Sequence, residues 1–218
     1  MRFADWFRLP CLPTLPASIV PLWTALALFG GADRALASAF GPSDNFCGNP
    51  PGFLNCTICH NDYPANSGDG DLTLEGLPAS FVAGNSYDLL VRIYDPGQMR
   101  WGFELTVLNA LNQQAGTLVV LDPIRTQLSD HPGTIPDFLK HTFNGTEWHT
   151  PDGPVTWPFR WVSPNVPSVT FYFAGNGADG TEDPGNDYIY VRQRAVAQAT
   201  TGTQSTSWGQ VKSLFSGN

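Results

Sequence analysis

From residue 86 onward the apolar residues of this chain recur at every second position. "SYDLLVRIY" (86–94) sets Leu89, Val91 and Ile93 on one side, and "WGFELTVL" (101–108) does the same with Phe103, Leu105 and Val107. "SVTFYFAG" (168–175) aligns Val169, Phe171 and Phe173. Successive side chains of a strand point to opposite faces, so this period predicts half-buried strands. Weaker stretches of the same kind predict strands near 71–75, 116–121, 138–143, 155–162 and 187–194. No segment between 60 and 195 has a helical period. With 22 glycines, 19 prolines and only 14% charged residues, the joints are turns and not long salt-laced helices. The expectation is an all-β protein: a two-sheet antiparallel, Ig-like sandwich.

The two ends of the chain read differently. Arg2 and Arg8 precede a short apolar run, "SIVPLWTALALF" (18–29), and "ALASA" (35–39) supplies small residues. This is the pattern of an export signal, too short and too Pro-broken for a comfortable membrane span, with cleavage expected after Ala37 or Ala39. Without residues 1–39 the chain keeps 8 basic and 17 acidic residues. No basic patch is left to hold a phosphate backbone, so nucleic acid is not expected as a partner. No later apolar run is long enough for an integral membrane span. The expected organisation is a signal peptide (1–39), a cysteine-containing segment (40–69), the sandwich (70–195), and a polar linker with a short tail (196–218). The product is exported, to the periplasm or the cell surface.

Cys11 leaves with the signal, so three cysteines remain: Cys47, Cys56 and Cys59. "NCTICHND" (55–62) has the C-x-x-C-H spacing. Two thiols so placed can meet the two vinyl groups on one edge of a porphyrin, and the adjacent His60 can then bind the iron. Export suits this reading, because c-type haem is attached outside the cytoplasm. The expected cofactor is therefore haem c on Cys56, Cys59 and His60. Several alternatives stay open: a disulfide of Cys56 with Cys59, or of Cys47 with either; a Cys3His zinc set; or a reactive dithiol. An odd number of thiols cannot all be paired.

Several phrases occur in a familiar order: "GDLTLEGLPASFVAGNSYDLLVRI", "RWGFELTVL", "KHTFNG", "VTWPFRWVSP" and "VTFYFAGNGADGTEDPGNDYIYV". Over about residues 45–194 the chain resembles the bacterial choice-of-anchor V domain, a relative of the Reeler (reelin-type) β-sandwich. The resemblance implies a Reeler-like sandwich that opens with a C-x-x-C-H, here Cys56, Cys59 and His60, and ends in a sorting or anchoring tail. "FCGNPPGFLNC", which adds Cys47, is more similar to the Cys/Cys region of temptin-like proteins.

A haem iron needs a sixth ligand or an open face. His141 of "KHTFNG" is the expected distal ligand, with Met99, His149 and His131 as alternatives; two histidines would give a low potential and a methionine a higher one. Trp101, Trp148, Trp157 and Trp161 can wall a haem, although a sandwich this aromatic would bury them anyway. "NGADGTEDPGND" brings Asp179, Glu182, Asp183 and Asp187 into one loop, where calcium is conceivable, but Asp/Asn/Gly loops are turns by default. No G-x-S-x-G, H-E-x-x-H or glycine-rich phosphate loop occurs, and no enzyme is expected. The sequence thus predicts an exported module for electron transfer or haem-based sensing, facing a redox partner protein or cell-surface component. The alternative is a non-redox surface, adhesion or interaction module whose cysteines form a structural disulfide.

Overall fold

The computed structural model describes residues 38–147, 150–181 and 183–200. Residues 1–37 of the expected signal and most of the expected tail lie outside the described residues. Among the described residues ten strands form two sheets: β1 (Asp71–Glu75), β2 (Ser80–Phe81), β3 (Ser86–Tyr94), β4 (Arg100–Leu108), β5 (Thr117–Val120), β6 (Thr126–Ser129), β7 (Phe138–His141), β8 (Val155–Val162), β9 (Ser168–Ala178) and β10 (Tyr188–Gln198). One sheet runs β1-β3-β8-β5 and the other β2-β10-β9-β4-β7-β6. Every pairing is antiparallel except that of β2 with β10, which is parallel. The architecture is the expected all-β sandwich with one mixed sheet.

The alternation read from the sequence builds the core. Leu89, Val91 and Ile93 of β3 and Val155, Trp157, Phe159 and Trp161 of β8 face Phe103, Leu105 and Val107 of β4 and Phe171 and Phe173 of β9. Rings meet edge-on where the sheets interleave, as Trp161 does with Phe81 and Phe171 at centroid distances of 5.3 and 5.1 Å. Each buried indole N–H finds a carbonyl: Trp101 donates to Thr150, Trp157 to Gly145 and Trp161 to Ala115. These three tryptophans are core residues, and a buried indole without a partner would be costly. Trp148 lies outside the described residues.

Two strands escaped the sequence pattern. β2 has two residues and β6 reads "TQLS", too short or too polar to alternate. Two others run longer than expected. β9 continues through Gly175 and Gly177 to Ala178, and β10 continues to Gln198. Glycine ends an apolar pattern on paper, yet Gly175 is extended core strand: a Cβ there would stand 2.9 Å from Ile93 Cδ1 and 3.0 Å from Leu72 Cδ1.

Candidate functional site

The six-stranded sheet is covered on both faces. Its outer face carries Gly102, Glu104 and Thr106 of β4, which pair with Asn176, Ala174 and Tyr172 of β9. A strap, residues 38–60, crosses that face strand by strand. At β6 the Gln127 side-chain amide donates to the Phe40 carbonyl, and at β7 Lys140 Nζ donates to the Pro42 carbonyl (2.8 Å) and to Asp44 (2.7 Å). At β4 the Phe46 N–H donates to Glu104 Oε2 at 2.6 Å. Cys47 then packs on Phe138 and Ala174, with Cys56, Tyr172 and Val191 around it. Gly48, at φ +79°, lies so close to Val191 on β10 that a Cβ would stand 2.7 Å from its Cγ1. Here glycine serves both the left-handed backbone and the close approach.

Polar contacts fix the strap's ends. Asp44 also receives His131 Nε2 at 2.9 Å, so Lys140 and His131 converge on one carboxylate. Burial alone would raise the Asp44 carboxyl, but hydrogen bonds from Lys140, His131 and Ser129 together hold it below its usual range. Beyond Cys47 the chain turns back on itself. Gly48 N–H donates to the Leu54 carbonyl at 2.7 Å, Cys47 and Asn55 form an isolated antiparallel bridge, and a 3-10 turn follows at Cys56–Ile58. The Asn55 side chain caps that turn by accepting from Thr57 N–H at 3.0 Å. Phe53, at φ +53°, and its neighbours Leu54 and Ile58 remain exposed at 62%, 41% and 53%.

Under the strap sits a group that sequence reasoning missed. Glu104 is fully buried, and its Oε1 has no hydrogen-bond partner. Burial, opposed only in part by the Phe46 N–H and the Lys140 charge, pushes its pKa from the usual 4.5 to about 8. At neutral pH this carboxyl is therefore largely protonated. The two neighbouring thiols are also held neutral. Burial and the Glu104 carboxyl raise Cys47 well above 9 and Cys56 to about 12. The signal available beforehand was weak: Glu104 is the one charged residue in "WGFELTVL" and occupies a position that alternation assigns to solvent.

The expected haem residues are divided between two places. Cys56 Sγ points inward, 3.9 Å from the Phe46 carbonyl and packed against the Cys47 cluster. Cys59, half-buried, ends the 3-10 turn with its N–H on the Cys56 carbonyl at 3.2 Å. His60 stands at the far end of β9. Its Nδ1 is 2.5 Å from Asp187 Oδ2, and the Asn176 side-chain amide is 3.3 Å from the same nitrogen and 3.4 Å from Nε2. Asp187 is buried, so this contact anchors the end of the motif to the start of β10. An imidazole held by a carboxylate at Nδ1 is oriented as metal-binding histidines often are. The sulfurs do not match it. Cys56 faces the Cys47 cluster beside Glu104 while His60 faces Asp187, so the expected donors point into different surroundings.

His141 closes β7, where its buried imidazole takes the place of a ladder partner. Phe103 N–H donates to Nδ1 at 3.0 Å, and the Ser38 backbone bonds the ring as well. Burial lowers its pKa from 6.5 to about 4, which keeps it neutral. The ring lies over Gly102, where a Cβ would come within 2.8 Å of Cε1. Met99 packs beside Gly180, and His131 belongs to the Asp44 cluster. His149 and Glu182 lie outside the described residues. In the acidic loop, Asp179 accepts from Thr181 and Asp183 from Gly185 N–H, while Asp187 faces His60. Among the described residues no group of three His, Cys, Asp or Glu side chains is placed to hold a metal ion.

No family model matches the chain, and no curated protein matches it. Solved structures do. The Reelin-N domain of F-spondin is 16% identical, over 66% of this chain and 97% of its own, with a TM-score of 0.41. The human F-spondin reeler domain is 16% identical, over 62% and 92%, at 0.40. A cohesin module from a Clostridium perfringens family 33 glycoside hydrolase is 8% identical, over 60% and 96%, at 0.37. These are likenesses of fold alone. No helix among the described residues is long and apolar enough to cross a membrane.

Proposed function

We propose that this chain is an exported, non-catalytic interaction module of the choice-of-anchor V, Reeler-like kind, working at the cell surface or in the periplasm, in which the cysteine segment braces the fold. One observation carries this reading. The strap lies across five strands of the six-stranded sheet and takes Cys47 and Cys56 into its packing, while its turn presents Phe53, Leu54 and Ile58 to solvent. Three large apolar side chains within six residues make a contact patch, not scattered exposure. The partner is a surface protein with an apolar recess, since a formal charge of −8 disfavours an acidic lipid surface.

The second reading is the haem c module, and the His60–Asp187 contact is what favours it. A haem held by His60 would supply one-electron chemistry. Both readings are tested by producing the chain with its export signal in cells that carry a c-type haem maturation system. The expected product is colourless, with the mass of the bare mature chain less two hydrogens. A Soret band that survives acid–acetone extraction would overturn the bracing role and restore the haem.

A further inference from the structure

Resting on the bracing reading, we infer that Cys47 and Cys56 are a disulfide site that locks the strap onto the sheet, and that Cys59 is left as the free thiol. The bridge between Cys47 and Asn55, with Gly48 N–H on the Leu54 carbonyl, lays the two chain segments side by side one residue from Cys56. Cys56 thus directly follows the residue opposite Cys47, which brings the two cysteines' backbones close, as a disulfide requires. Both side chains enter one cluster with Phe138 and Ala174, and Cys56 Sγ reaches back to the carbonyl of Phe46, the residue before Cys47. Cys59 is not part of that cluster. It comes one 3-10 turn later, at the half-buried end that leads to His60.

The three sulfurs are thiols here, so the bond requires an oxidant. A disulfide of an exported thiol oxidase, or a small-molecule disulfide such as oxidised glutathione, supplies it. One thiol loses its proton and attacks the oxidant's disulfide, releasing one of its sulfurs as a thiol. The second thiol, deprotonated, then attacks the mixed disulfide and releases the other. Two protons and two electrons leave the chain, and the oxidant ends as two thiols. The thiolate is the attacking species, and burial holds both thiols protonated once the strap is down. Exchange therefore takes place while the strap is off the sheet, and closure shields the finished bond.

The test uses the exported chain after its signal, and Cys11 with it, has been removed; it is acid-quenched, unfolded in urea without reductant and treated with an alkylating agent, so that the result does not depend on how well a variant folds. In the wild type one alkyl group is expected, placed on Cys59 by fragmentation mass spectrometry. Cleavage after Phe53 should leave the two fragments joined until reductant is added. An alkyl group on Cys47 or on Cys56, or alkylation of all three, overturns this pairing. Cys59→Ser should still lose two hydrogens and take no alkyl group; two alkyl groups on it would overturn the pairing equally. Thioether-bound haem on Cys56 and Cys59 would instead overturn the bracing reading itself, so the two failures are distinct.

Discussion

The two faces of the six-stranded sheet are buried to similar degrees by opposite means. Inside, β4 and β9 present Phe103, Leu105, Val107, Phe171 and Phe173 to the apolar residues of the facing sheet. Outside, the same two strands present Glu104, Ala174 and Asn176 to a strap with little periodic structure, while Gly102 meets the His141 ring and Thr106 the Asp137 carbonyl. The inner face needs only matching shapes. The outer face needs a partner for each polar atom it loses to water, and at Glu104 Oε1 it does not find one. The covered outer face thus holds the groups whose chemistry can change.

This contrast is broken most severely from the inside. Trp161→Ala removes a fully buried ring that meets Phe81, Tyr87 and Phe171. It should cost about 3–5 kcal/mol in urea unfolding, the usual range for a large core aromatic.

The outer face should respond to pH where the inner one does not. Glu104 binds its proton more tightly when folded, about 8 against the usual 4.5, so its contribution to stability falls as pH rises between those values. His141 binds its proton less tightly when folded, about 4 against 6.5, so its contribution rises with pH across that interval. The two oppose each other from 4.5 to 6.5, and Glu104 acts without that opposition from 6.5 to 8. Across that upper window Glu104→Gln should remove a decline of roughly 2 kcal/mol, at about 1.4 kcal/mol per pH unit. Paired unfolding curves of wild type and variant at pH 6.5 and 8 measure it. Parallel behaviour of the two proteins would mean that Glu104 is solvated and the strap is not closed over it.

An effect of similar size sharpens the geometry. Gly102→Ala puts a methyl group against the His141 ring and should cost about 1–3 kcal/mol, the range for overpacking. It should also perturb the His141 ring protons in NMR spectra. At the bottom of the scale is the exposed Arg160–Asp88 pair, with N···O distances of 2.6 and 3.0 Å. Arg160→Ala should leave the unfolding midpoint where it was, because solvent screens such pairs.

The inner face was legible beforehand because alternation records which side of a strand is apolar. Leu89, Val91, Phe103, Phe171 and Trp157 all lie where the period puts them. The outer face was not, because "FCGNPPGFLNC" has no period and nothing local says which surface it will cover. Glu104 has the spacing of a solvent-facing residue, and only the strap makes it buried. The C-x-x-C-H spacing says that Cys56, Cys59 and His60 are close along the chain. It does not say that Cys56 turns inward to Cys47 while His60 turns to Asp187. The direction of a side chain in a loop is set by what packs against it, and those partners are more than a hundred residues away for His60.

The last strand has a mechanical consequence. β10 is paired with β9 from Tyr188 to Ala197, and its end is clasped by β2. Its hydrogen bonds lie perpendicular to the strand. Tension applied at Thr200 would therefore run along the ladder and load those bonds together in shear, where a hairpin pulled open from its mouth yields them one at a time. A sandwich held from this end should therefore give way only when many of those bonds fail together.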